Sequence, residues 1–108
     1  LPAESFDAVW ACASLIHVPL HQMQDTLKLI GRCLRIGGVL YASFIHGEGT
    51  WHMSDGRVMT HLTPDALSEL FAGVPQFSVK RIWTTEDAMG RDRTWVNVIA
   101  VLRDFVWM

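Results

Sequence analysis

Phe6-Asp7-Ala8-Val9-Trp10-Ala11-Cys12-Ala13-Ser14-Leu15-Ile16-His17-Val18-Pro19, followed one helix later by Arg35-Ile36-Gly37-Gly38-Val39-Leu40-Tyr41-Ala42-Ser43-Phe44, decides the fold. The order is strand, small-residue turn, helix, double-glycine turn and strand, which is one crossover unit of a parallel sheet. Residues 6–11, interrupted only by Asp7, read as a strand buried on both faces. Ala13 and Ser14 keep the following turn small. Leu20, Met23, Leu27, Ile30 and Leu34 recur at three- and four-residue steps, so they share one stripe of a helix. Pro19 stands where a first-turn proline is tolerated, and Gly37 or Gly38 supplies a left-handed C-cap.

Beyond the second strand at 39–44, residues 45–59 form a long irregular segment rich in His, Gly, Trp and Ser. Loops of that length in compact domains are usually functional or disordered. Thr63-Pro64-Asp65 then reads as N-cap, first-turn proline and first-turn acid, with Ala66, Leu67, Leu70 and Phe71 on one helical face and Gly73 as the stop. Two β-rich runs at 77–84 and 94–102 are joined by Glu86-Asp87-Ala88-Met89-Gly90-Arg91-Asp92-Arg93. No helix fits between them, so they pair as an antiparallel hairpin.

A chain of 108 residues is about one small domain, able to bury roughly two-thirds of its unfolded surface. Its 50% hydrophobic and 19% charged residues are ordinary for a folded protein, and a net charge of −2 offers no basic field for a polyanion. Nucleic acid and membrane are therefore not expected partners. The longest apolar stretch, 98–102, is far short of a membrane span, and Leu1-Pro2-Ala3-Glu4 lacks the cationic start of a signal peptide. Cys12 and Cys33 form neither a disulfide framework nor a metal knuckle, which fits two thiols in a reducing cytoplasm. Beginning with Leu1 immediately before a strand suggests an excised or truncated piece.

With those elements in place, the chain resembles the second half of a class I S-adenosylmethionine (SAM)-dependent methyltransferase. The likeness rests on the Phe6-Asp7 strand, the Gly37-Gly38 turn and the closing hairpin. Such enzymes run from their fourth strand as strand, helix, strand, helix and antiparallel hairpin, with the last strand inserted beside the fifth. The fold implied is α/β, a partial Rossmann-like sheet without its N-terminal half, and residues 1–108 are the C-terminal part of a single methyltransferase domain. Gly47-Glu48-Gly49, Asp55-Gly56-Arg57, Trp83-Thr84-Thr85-Glu86-Asp87 and Arg93-Thr94-Trp95-Val96-Asn97-Val98 look like a subgroup of small-molecule enzymes, some tellurite-resistance-related. Two departures stand out: Ile36 replaces the usual proline before the double glycine, and there is no Gly-x-Gly-x-Gly loop after a first strand, nor an acid ending a second. Gly47 and Gly49 do not replace that loop, because no helix follows them to present its amides.

The resemblance implies that Ala11, Cys12, Ala13 and Ser14 line the cofactor with backbone and small side chains. Ligands in open α/β sheets bind beyond the carboxyl ends of strands, which is where these four fall. His17 is the candidate proton acceptor, since imidazole titrates near neutrality, with a capping or surface role as the plainer alternative. Trp51 is suited to covering an apolar substrate and Arg57 to holding an anionic group, with Glu48 on the same flexible rim. His46, His52 and His61 with Glu48 and Asp55 match no metal-ligand spacing, and neither do His17 and His21 across Pro19. Trp83 and Trp95 are expected to pack, and Asn97, a polar residue inside an apolar strand, to pin the hairpin.

Methyl transfer from a sulfonium is mainly positioning and desolvation, so no catalytic triad is demanded. The function implied is transfer of a methyl group to a small-molecule acceptor, with SAM as cofactor and weak or no cofactor binding by this chain alone. A non-catalytic remnant or interaction module that dimerises through the bared edge of strand 6–11 is the main alternative. A nicotinamide-dependent oxidoreductase is a third, against which the terminal hairpin argues.

Overall fold

The computed structural model describes residues 6–103; the Leu1-Pro2-Ala3-Glu4 start considered above lies outside them. The element order is β1 (Phe6–Ala11), a short 3-10 turn (Leu15–His17), α1 (Leu20–Cys33), β2 (Leu34–His46), β3 (Thr50–His52), β4 (Val58–Leu62), α2 (Pro64–Ala72), β5 (Phe77–Glu86) and β6 (Thr94–Leu102). β2 is the centre of the sheet. β1 runs parallel to it, matching Ala8 to Val39 and Ala11 to Ala42. β6 runs antiparallel along its other edge from Val39↔Val101 to Ile45↔Trp95, and β5 closes the hairpin antiparallel to β6. The expected terminal hairpin and inserted last strand are thus both present.

Since β6 occupies one edge of β2 throughout, β1 and β4 must share the other. β1 stops at the level of Ala42, and β4 takes over at Ile45 and His46, again parallel. Between those levels the chain leaves β1 through the turn at 12–14, so the sheet opens at the carboxyl end of β1, where open α/β sheets bind ligands.

The two helices lie on one face of the sheet. Leu40, Ala42 and Phe44 of β2 and Val96, Val98 and Ala100 of β6 meet Met23, Leu27, Leu67 and Phe71 in a common core, most of them fully buried. Phe71 and Phe77 meet edge to face at 5.9 Å, and Gly31 lets α1 approach the Leu102 and Phe77 side chains. The cap read at Thr63 is present: its hydroxyl accepts from the Ala66 amide at 3.1 Å.

Three expectations need correction. β1 is not buried on both faces: no described element covers its second face, and Trp10 is 74% exposed. The double glycine does not cap α1, which ends at Cys33 with Leu34 already extended. Instead Phe6 pairs with Leu34 and Ala8 with Val39, so residues 35–38 bulge out of register. Gly37 supplies φ 84° in that bulge, while Gly38 supplies room: a Cβ there would sit 2.7 Å from the Arg35 carbonyl and 3.1 Å from that of Asp7. Lastly, 45–59 is not wholly irregular, because β3 and β4 form a hairpin with Thr50↔Thr60, Trp51↔Met59 and His52↔Val58. The missed signal was Asp55-Gly56 between two β-rich runs, with Gly56 at φ 88°.

Candidate functional site

The sheet face opposite the helices carries the polar and aromatic residues of alternate positions. Along β2 these are Tyr41, Ser43 and Ile45; their β6 partners are Ile99, Asn97 and Trp95. Asn97, 3% exposed, accepts from the Tyr41 hydroxyl at 2.6 Å and donates to the Trp83 carbonyl and the Thr85 hydroxyl. It pins the hairpin as read, and also fixes the Tyr41 ring. Burial is the main cause of a raised Tyr41 pKa, so the phenol stays protonated. Trp10 stacks on Tyr41 at 4.2 Å, with Trp83 on the far side at 6.1 Å under the Arg81 guanidinium.

Where β1 ends, Ala13 adopts φ 58°, a left-handed conformation costing about 1–2 kcal/mol in a residue with a Cβ. Ser43 secures it: the Ala13 amide donates to Ser43 Oγ at 2.9 Å, and that hydroxyl points its own hydrogen at Cys12 Sγ, 3.6 Å away. Cys12 and Ala13 face a cavity of 330 Å³ whose other walls include Tyr41, Ser43, Asn97 and Trp95. Ala11 is buried beneath this turn and Ser14 is exposed beyond it. The rim is the β5–β6 loop. Asp87 accepts from the backbone amide and guanidinium of Arg91 and from the Trp95 indole at 2.9 Å, and these bonds hold its carboxyl well below the usual carboxylate range.

A second cavity of 330 Å³ opens at the end of β2, where the chain enters β6, lined by Ile45, His46, Trp51, Met59, His61, Asp92 and Arg93. The two chambers neighbour one another through the cross-strand pair Ile45 and Trp95, Ile45 lining this one and Trp95 the first. Trp51 stacks on His61 at 5.4 Å. Burial and then the charge of Arg93 lower the His61 pKa, which keeps the imidazole neutral at pH 7.

The sequence candidates distribute unevenly over these chambers. Cys12 and Ala13 line the first and Trp51 the second. His17 lies on the 3-10 turn with Nδ1 donating to the Val58 carbonyl at 3.0 Å. With the Thr60 hydroxyl donating to the Val18 carbonyl, that bond ties β4 to the turn; His17 lines neither chamber. Arg57 does not face an anion site: its guanidinium closes on Asp55 at 2.7 Å within the β3–β4 reversal. Glu48 is exposed and lines neither chamber. Tyr41, Ser43, Asp87 and Arg93 were missed. Their signal was the i, i+2 alternation of Tyr41 and Ser43 on one strand against Asn97 on its neighbour, which gains meaning only with the register. Among the described residues no group of three metal-ligating side chains gathers.

The fold matches that of solved SAM-dependent methyltransferase structures over part of their length. Residues 1–42 match the family model described as methyltransferase domain. The chain superposes on a Burkholderia thailandensis 1,6-didemethyltoxoflavin-N1-methyltransferase, solved with 1,6-didemethyltoxoflavin and S-adenosylhomocysteine, with a TM-score of 0.83, 18% identity and coverage of 96% of this chain and 47% of that one. A SAM-dependent methyltransferase from Methanosarcina mazei gives 0.72 and 19%, over 95% and 62% of the two chains. The [4+2]-cyclase SpnF gives 0.66 and 16%, over 95% and 53%. The chain therefore spans about half to three-fifths of the length of these structures, and the likeness is one of fold. No curated protein matches the chain. Nothing in these matches bears on the narrower likeness to tellurite-resistance-related enzymes. Among the described residues no helix is long and apolar enough to cross a membrane.

Proposed function

We propose that residues 1–108 are the C-terminal part of a single methyltransferase domain that transfers a methyl group from SAM to a small-molecule acceptor in the cytoplasm. The observation that carries this reading is the left-handed turn at Ala13, fixed by Ser43 at the carboxyl end of β1 and facing a ligand-sized cavity. Small side chains at 11–14 leave room for a cofactor against the backbone, so these residues fit one wall of a SAM site. SAM would supply an electrophilic sulfonium methyl there. The chain's own residues would shape the wall: Ser43 holds the turn, Tyr41 and Asn97 form the floor, and the Asp87-braced loop holds Trp95 at the rim. The Burkholderia protein's bound small molecule supports a small acceptor here. The cyclase shares the fold over 95% of this chain, and fold alone does not choose a reaction, so the binding tests below decide.

Calorimetry with S-adenosylhomocysteine tests the wall. The 108-residue chain alone should give no saturable heat, because the glycine-rich loop and ribose-binding acid are not in its sequence. Fused to the first half of a class I methyltransferase, it should bind, and Ala13→Trp should abolish that binding. Micromolar affinity of the chain alone, or a fusion indifferent to Ala13→Trp, would overturn the assignment.

A second reading, a non-catalytic module that dimerises, is favoured by the outer edge of β1, which pairs with no described strand and carries the exposed Trp10. Sedimentation equilibrium decides it: a dimer dissociated by Trp10→Lys supports the module, and a monomer at 100-fold varied concentration removes it.

A further inference from the structure

We infer that the chamber between the β3–β4 hairpin and the start of β6 is the acceptor site, and that it takes a flat aromatic ring bearing an anionic group. The inference deepens the methyltransferase reading by naming the acceptor class, and it rests on that reading for the word acceptor.

Three features of the chamber select this chemistry. Shape comes from Trp51, which is 59% exposed and already stacked on His61; its free ring area is a platform on which a second aromatic extends the stack. Apolar walls come from Ile45 and Met59, and the volume of 330 Å³ is at the small end for ligand pockets, suited to one or two fused rings. Charge comes from Arg93, whose guanidinium lies 5.9 Å from the Trp95 ring centroid. Asp92 lines the same cavity, but no ion pair joins it to Arg93 among the described residues. Arg93 also accounts for part of the lowered pKa of His61, so its field reaches into the chamber. Arg57, the cation that sequence alone would choose, is neutralised by Asp55.

Position supports the same assignment. Ile45, which lines this chamber, is the cross-strand partner of Trp95, which lines the one with Cys12 and Ala13. An acceptor stacked on Trp51 therefore lies beside the proposed cofactor wall, with Arg93 fixing its orientation. Orientation is where a methyl transfer gains most of its rate.

The test uses the 108-residue chain and three probes: 2-naphthoate, its neutral analogue 2-naphthalenemethanol, and cyclohexanecarboxylate, which is anionic but not flat. Binding is read by amide and indole N–H shifts in two-dimensional NMR. Saturable 2-naphthoate shifts centred on Trp51, His61 and Arg93 are expected. Arg93→Gln should weaken 2-naphthoate at least tenfold and leave 2-naphthalenemethanol unchanged, Arg93→Lys should retain most of the affinity, and Trp51→Ala should weaken both aromatics. Thermal melts exclude an unfolded variant, and Arg93→Lys keeps the charge test alive if Arg93→Gln fails to fold. The inference is overturned if the probes bind equally, if cyclohexanecarboxylate matches 2-naphthoate, if no probe binds, or if the shifts centre on Trp10 and Tyr41. Binding needs no cofactor, so a chain that takes up 2-naphthoate here while the fusion fails to bind S-adenosylhomocysteine keeps this site and loses the methyltransferase reading.

Discussion

Replacing Asn97 with alanine removes a polar group that joins three strands across the uncovered face. The side chain is 3% exposed and makes three hydrogen bonds: a 2.6 Å bond from the Tyr41 hydroxyl, 3.1 Å to Thr85 Oγ1 and 3.3 Å to the Trp83 carbonyl. The three do not count equally. Thr85 is exposed and recovers water, the Trp83 bond is long, and the half-buried Tyr41 hydroxyl loses its closest partner. A made bond is worth about 1 kcal/mol net and an orphaned buried partner about 1–3 kcal/mol, so Asn97→Ala should cost about 2 kcal/mol. Against a total of about 5–15 kcal/mol for a chain of this size that is a large fraction. It corresponds to a fall in Tm of about 8–16 °C. Urea unfolding supplies the assay, and Tyr41→Phe completes a double-mutant cycle in which the double variant should be less destabilised than the sum by about 1 kcal/mol. A cost below about 0.5 kcal/mol, or strict additivity, would refute the view that this amide organises the face.

Two further outcomes follow from the geometry. Gly38→Ala should destabilise more than Gly37→Ala, since the added Cβ meets two backbone oxygens at 2.7 and 3.1 Å whereas Gly37 has open space and only its positive φ to violate; urea midpoints in the reverse order would sink this account of the bulge. His61 has a folded pKa below its unfolded one, so the unfolded state binds more protons in the interval between the two. Stability from this residue is then fully present above the unfolded value of about 6.5 and lost as pH falls through the folded value, and the urea midpoint of the wild type should drop more than that of His61→Gln between pH 7 and 5.

The local grammar of this chain was largely legible. Period-3.6 spacing from Leu20 to Leu34 places α1, although Leu20 is exposed and Leu34 belongs to β2; Thr63-Pro64-Asp65 places the start of α2, and a polar stretch too short for a crossover forces β5 and β6 into a hairpin. Each of those signals acts between residues near in sequence, where backbone sterics and capping chemistry decide. Even the small hairpin of β3 and β4 was written locally, in Asp55-Gly56.

The site was legible only in part, because it is made of register. Ala13 reads as a small turn residue, and nothing beside it announces that Ser43, thirty residues away, will accept its amide. Arg57 and Arg93 are equal cations in sequence; tertiary structure closes one on Asp55 and leaves the other lining a chamber with Trp51 and His61. The sequence by itself determined the principal elements and their order, the β3–β4 hairpin apart, since those follow from neighbouring side chains. Which edge of β2 each strand takes, and so which polar groups meet beyond its carboxyl end, was settled only by pairing across the sheet, where a shift of one residue turns every side chain to the opposite face.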